Sequence, residues 1–331
     1  MTTYKEIRGS QIQVVSSDPT FLEGQVWYNS TSNTLKGYKL IATGAWSTGG
    51  NLNQARRFTA ATGTATAGLD FGGDVPPNSA LTEKYNGTNW TEVNDLNSAR
   101  QALGGSGIQT ASLAYGGFDT EVRGYTESWN GTNWTEVNDL NTNRTSGGGA
   151  GTNNTEAIYF GGYDGSTPVN SGRVDSCEAY NGTNWTIVNT LNTGRNSMAA
   201  NGTYTSALAT GGYSSAGSTV NSVESWNGTN WTEVGNLNTA RYSLGGAGTD
   251  NTSAIVFGGT GPPSRLAVAE QYNGTNWTEV ADLNTGREDI NNGGAGTTVA
   301  ALCVGGDDSS PTAATEEWSS TTSSTVTFTV S

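Results

Sequence analysis

The sequence contains no histidine. That absence removes the side chain most used as a general base and as a transition-metal ligand, so neither a metal site nor a cofactor is expected. Cysteine is nearly as scarce. Cys177 and Cys303 fall in different expected strands and read as two small buried residues rather than a disulfide. Cations are few, 15 Lys and Arg against 29 Asp and Glu, giving a formal charge of −14. A surface of that sign repels phosphate backbones and anionic membranes, so neither nucleic acid nor membrane is an expected partner. Runs of five like charges are absent, and the acidity is expected to serve solubility. No stretch approaches a membrane span, and the opening MTTYKEIRGS lacks the apolar core of a signal peptide, so secretory routing is not expected.

What is present is a repeat. NGTNWTEVNDLN at 86–97 returns at 130–141, with looser copies from Asn181, Asn227 and Asn273. Low apolar content, 33%, and 47 Gly alone would fit disorder, but 10 Trp, 13 Tyr and strict periodicity argue for short strands joined by turns. Three landmarks recur. Trp46, Trp90, Trp134, Trp185, Trp231 and Trp277 each precede a Leu-Asn-x-x-Arg. Gly-Gly stands at 72–73, 116–117, 161–162, 211–212, 258–259 and 305–306. An aromatic follows two residues after Glu83, Glu127, Glu178, Glu224, Glu270 and Glu316, namely Tyr85, Trp129, Tyr180, Trp226, Tyr272 and Trp318.

Each unit reads as four strands: a Gly/Ala-rich first strand, an apolar second ending at Gly-Gly, a third carrying Glu-x-aromatic, and a fourth of the Trp-Thr-Glu-Val type. Asn-Gly between the last two supplies positive φ for a tight turn. The expected fold is all-β, a six-bladed β-propeller spanning 44–318. Its first Trp precedes the first Gly-Gly and Trp318 lacks a following Trp strand, so Gly44–Thr48 is expected to complete the last blade from the N-terminal side. Residues 1–43 stand outside the repeat, as an attachment segment with a hairpin of Gln25–Tyr28 and Thr34–Leu40. Residues 319–331 form a C-terminal strand or tail, either a fifth strand or the last strand of that blade; in the latter case Trp46 and the hairpin give a seven-bladed alternative.

GG-Tyr-Asp-Gly at 161–165, Glu178 with Tyr180, Trp185, and LNTGR at 191–195 resemble a kelch repeat, and the resemblance runs over 44–318. It implies a binding scaffold, in some members with the Arg after the fourth strand gripping acidic peptide at the channel mouth. EGQVWYNSTSNTLKGY followed by GAWST, within 18–46, resembles segments of tail-fibre and other virion proteins of tailed bacteriophages. That resemblance implies a virion location, with residues 1–43 contacting other virion proteins.

Up-down strand order puts the near-uniform NGTN turns on one face. The variable loops 74–81, 118–125, 163–175, 213–221, 260–267 and 307–315 lie on the other, together with the Leu-Asn-x-x-Arg segments. Recognition is expected on the variable face. Phe118, Tyr163 and Tyr213 follow Gly-Gly in successive units, and Arg123, Arg173, Arg265 and Asp164 lie in the same loops. Stacking of a sugar on the rings is one reading; capping of the loop bases is the other. Arg56, Arg100, Arg144, Arg195, Arg241 and Arg287 are either a channel-mouth ring or, preferred on their one-to-one match with the repeated Glu, structural ion pairs. Copper-oxidase chemistry lacks its His. Neither a sialidase-type Arg–Tyr site nor a glycosidase carboxyl pair stands out from the loop acids Asp164, Asp307 and Asp308. The expectation is a non-enzymatic, multivalent virion protein that recognises a host-surface glycan or protein. A purely structural or decorating virion component and a cellular kelch scaffold are the alternatives.

Overall fold

The computed structural model describes residues 13–19, 26–41, 44–166, 172–262, 264–320 and 322–328. These form strands, turns and bridges, with no helix among them. The chain divides into two compact units, Met1–Gly44 with Ser320–Ser331, and Ala45–Ser319.

The first unit holds one sheet, ordered Gln13–Val15, Val26–Asn29, Thr34–Ile41, Thr322–Phe328. Its first pair is parallel and the others antiparallel. Asp18 is the hub. It accepts from the Asn29 amide at 2.8 Å, the Lys36 ammonium at 2.9 Å and the Trp27 indole at 3.2 Å. The Lys36 bond, followed by that from Asn29, holds the Asp18 carboxyl below the usual range. The C-terminal strand therefore pairs with the hairpin, Leu35 opposite Phe328 and Ile41 opposite Thr322, and adds to neither edge of the Trp318 sheet. This corrects both placements expected for it. Alternation identifies a strand but does not identify its partner.

The second unit contains six four-stranded antiparallel sheets among the described residues, each paired in the order first to fourth. The first sheet is Ala60–Thr64, Ala67–Phe71, Thr82–Tyr85 and Trp90–Glu92. The next four repeat the scheme, with first strands Gly104–Ile108, Gly148–Asn153, Ala199–Thr203 and Gly245–Asp250. The sixth is Gly294–Gly296, Ala300–Val304, Thr315–Ser319 and Ala45–Thr48. Trp318 stands opposite Trp46 there, so a strand from the start of the unit completes a sheet from its end.

Two series of main-chain hydrogen bonds link these sheets and return to their origin. In one, the second Gly of each Gly-Gly donates to the Arg carbonyl before the next sheet: Gly73 to Arg100, Gly117 to Arg144, Gly162 to Arg195, Gly212 to Arg241, Gly259 to Arg287, and Gly306 to Arg56. Both glycines have positive φ, 70° and 106° at Gly72 and Gly73, and a Cβ on Gly116 would lie 2.5 Å from the Arg144 carbonyl oxygen. No other residue type fits. In the other series, Ala102 N–H donates to Phe58 O, Ser146 to Ala102, Ser197 to Ser146, Ser243 to Ser197, Ile290 to Ser243, and Phe58 to Asp289 O. Phe58, Ala102, Ser146, Ser197, Ser243 and Asp289 are all left-handed, φ 51–56°. Such strain persists only where surrounding bonds hold it in place.

Each Leu-Asn-x-x-Arg segment fastens to the sheet it enters. Asn97 donates both its main-chain and side-chain N–H to Glu127 Oε2, each at 2.7 Å, and Arg100 Nη1 meets Oε1 at 2.5 Å. The same three-part arrangement joins Asn53 and Arg56 to Glu83, Asn141 and Arg144 to Glu178, Asn192 and Arg195 to Glu224, Asn238 and Arg241 to Glu270, and Asn284 and Arg287 to Glu316. Both oxygens of each carboxylate are bonded, which is what makes a buried ion pair tenable. The first sheet adds a second acid. Asp70 Oδ1 lies 2.9 Å from Arg56 Nη2, which also serves Glu83 at 2.8 Å. Burial pushes the Asp70 carboxyl up to about 7 against the pull of Arg56.

Candidate functional site

The face carrying the Gly-Gly loops is built on a repeated bridge. The residue after Gly-Gly pairs with the residue after the buried Arg: Asp74 with Arg57, Phe118 with Gln101, Tyr163 with Thr145, Tyr213 with Asn196, Thr260 with Tyr242, and Asp307 with Glu288. The backbone is therefore equivalent around the face and only the side chains differ.

Those side chains fall into two sectors. In one, Phe118, Tyr163, Tyr213 and Tyr242 are half-buried. The three tyrosines are held by specific contacts. Tyr163 Oη donates to Ser166 O at 3.1 Å and Tyr213 Oη to Gly217 O at 2.9 Å. The Arg173 guanidinium lies 4.4 Å from the Tyr213 ring centre, and Tyr242 packs edge-on against Tyr213 at 5.3 Å. Arg173 also donates to Asn196 Oδ1 at 3.2 Å and bridges the Tyr163 backbone. Asp164 accepts from Ser166 N–H at 2.8 Å, shaping the loop. Arg123 is held within its own loop, 2.9 Å from Asp119 and 2.5 Å from Glu121, and 5.3 Å from the Tyr125 ring. Burial opposes ionisation of Asp119, yet Arg123 and the Thr120 and Glu121 N–H groups bring its carboxyl down to about 2.

The other sector is charged. Arg57 meets Asp74 at 3.0 Å, Asp307 at 3.0 Å and Asp289 at 3.6 Å. Arg265 meets Asp307 and Glu288, each at 3.0 Å. Burial, then the neighbouring Glu288, pushes the Asp289 carboxyl up to about 6. Arg265 thus lies in this network, apart from the aromatic residues with which the sequence groups it.

The six repeated arginines are 0–1% exposed. A guanidinium with no exposed surface and a carboxylate already bonded presents nothing to a ligand arriving from solvent. Their geometry is that of the ion pairs described above. Among the described residues no group of three or more Cys, Asp or Glu is placed to hold a metal ion.

Sequence reasoning missed Tyr242 and the Arg57–Asp74–Asp289 network. The signal was available: each lies beside a landmark, one or two residues after the repeated Arg or one after Gly-Gly, and aligning those columns isolates them. A scan against protein-family models gives no match, and a search of curated proteins gives none either.

Proposed function

We propose that the Ala45–Ser319 unit is a six-bladed β-propeller of kelch type, and that the chain is a non-enzymatic virion protein of a tailed bacteriophage that recognises a host-surface glycan. The propeller reading is supported by the two series of inter-sheet hydrogen bonds that return to their start, and by the pairing of Trp46 with Trp318. The virion reading rests on the resemblance within 18–46, with residues 1–43 contacting other virion proteins.

One observation carries the ligand class. Phe118, Tyr163, Tyr213 and Tyr242 are half-buried aromatics on equivalent backbone bridges, with Tyr213 packed against Tyr242 and two of the rings tethered through their hydroxyls. Fixed rings offer a stacking platform whose ordering cost is met on folding rather than on binding. One stacked sugar gives weak affinity, about 1 mM or −4 kcal/mol, so useful adhesion requires several copies per particle.

The test is a glycan array probed with a multivalent display of the chain, followed by whole-cell binding of Tyr163→Ala and Tyr213→Ala with folding checked by circular dichroism. Binding that survives both substitutions but is lost when a charge enters the NGTN turns places the ligand on the other face. A blank array, with virions lacking the chain adsorbing normally, favours a decorating or spacer role.

A further inference from the structure

Phe118 and Tyr163 stand on equivalent bridges in successive sheets, and each is followed by an acid, Asp119 and Asp164. Their two loops touch: a Cβ built on Gly165 would lie 3.3 Å from Val122 Cγ2. The charges in these loops are unequal. Arg123 is committed inside its own loop. Its Nε meets both oxygens of Asp119 at 2.9 Å, and its Nη1 meets Glu121 at 2.5 Å. One guanidinium thus serves two carboxylates. The next cation along, Arg173, is engaged by the Tyr213 ring and by Asn196 Oδ1.

Asp164 is differently placed. Its Oδ1 accepts the Ser166 N–H at 2.8 Å, and among the described residues no Lys or Arg forms an ion pair with it. The Ser166 carbonyl in turn accepts the Tyr163 hydroxyl at 3.1 Å. The tip of the ring and the carboxylate are therefore fastened to one residue and held close together. Both side chains are half-buried, so the carboxylate has already lost part of its hydration.

A sugar brought against Tyr163 meets an uncompensated carboxylate, while the nearby guanidinium groups are occupied. A uronate or phosphate substituent would face like charge there, which selects against it. A neutral sugar gains only packing and hydroxyl bonds. An ammonium group gains a charge-assisted bond to a carboxylate, roughly twice as strong as a neutral one. Taking a glycan as the ligand of this face, as proposed above, we infer that it bears free amino groups. The unit is a hexosamine whose nitrogen is not acylated, with its ring packed at Tyr163 and its ammonium bonded to Asp164. The formal charge of −14 attracts any such polycation from a distance but does not discriminate where it binds.

The test uses the full chain in multivalent display, over immobilised oligomers of glucosamine, N-acetylglucosamine and galacturonate of equal length. The glucosamine oligomer should bind about tenfold more tightly than its acetylated counterpart, and the galacturonate oligomer should not bind. Asp164→Asn, with folding checked by circular dichroism, should weaken glucosamine binding about tenfold and leave N-acetylglucosamine binding unchanged. Glu136→Gln, exposed on a fourth strand, makes the same change in net charge and should lose nothing. Equal binding of the free and acetylated amines, tighter binding of galacturonate, or equal losses in Asp164→Asn and Glu136→Gln would each overturn the inference. Binding to other sugars on a glycan array with none to glucosamine overturns it alone and leaves the glycan site standing. Binding to no glycan at all removes both.

Discussion

The indole N–H of Trp134 donates to the Thr82 hydroxyl at 3.0 Å, joining the fourth strand of the second sheet to the third strand of the first. Trp185 with Thr126 and Trp90 with Thr315 repeat the bond. At the equivalent positions Trp231 faces the Cys177 thiol, whereas Trp277 and Trp46 pack in clusters with Val223 and Ala269 and their N–H groups are unpartnered. The repeat thus compares satisfied and unsatisfied versions of one contact within a single chain. Val223→Thr, nearly isosteric, supplies Trp277 with the missing acceptor. It should stabilise by about 1 kcal/mol, while Thr82→Val should destabilise by about 1–2 kcal/mol. Calorimetric unfolding of both variants checks this; equal losses in the two would show that the added hydroxyl is worse buried than the orphaned indole.

A second prediction concerns the buried ion pairs. Arg195→Met leaves Glu224 charged, buried and held only by Asn192. The cost should be about 3–5 kcal/mol. Adding Glu224→Leu removes the stranded charge, so the double variant should be more stable than the single one in denaturant titrations. Glycan binding by whichever variant remains folded should equal that of the parent. A specific loss of binding would return this arginine to the ligand site.

The order of these contacts shows how far the sequence could be read. One Glu and one Arg per repeat anticipate the pairs, and the surplus Trp at 46 anticipates its place opposite Trp318. Both follow from counting landmarks. The partner of Thr322–Phe328 does not, because a strand pattern carries no address. Nor does the bonding of Arg265 to Glu288 and Asp307, since those residues come from the neighbouring sheet and meet it only through the twist of the scaffold. Asp70 was hidden by lying in a column that elsewhere holds Ala114, Tyr159, Ala209, Val256 and Cys303.

Asp70 gives a pH prediction. Its folded value, raised to about 7 by burial, exceeds the ordinary 3.8. Between those values the folded state holds a proton that the unfolded state has released, so stability falls as pH rises. The contribution is full below about pH 4 and lost by pH 7–8, on the order of a few kcal/mol. Asp70→Asn should therefore raise the melting temperature at pH 8 and change it little at pH 4. Parallel curves for parent and variant across that range would show that Arg56 keeps Asp70 ionised throughout.

The last prediction separates the residues of the variable face. Tyr213 is restrained in three ways: its hydroxyl bond to Gly217, the Arg173 guanidinium over its ring, and the edge of Tyr242. If the ring is a stacking platform, removing it should abolish binding, and loosening it should weaken binding in proportion. Tyr213→Ala should thus lose measurable binding. Tyr213→Phe, which keeps the ring and frees its tether, should lose about two- to fivefold, under about 1 kcal/mol. Tyr242→Ala should fall between them, because it removes both a support and a platform ring. Arg265→Ala should leave binding unchanged and lower stability slightly, since its guanidinium is engaged by Glu288 and Asp307 in the charged sector. Surface plasmon resonance of the multivalent display over immobilised host cell-wall material gives all four numbers. A large loss of binding from Arg265→Ala with none from Tyr242→Ala would move the ligand to the charged sector, and with it the ligand class from a stacked sugar to an anionic group.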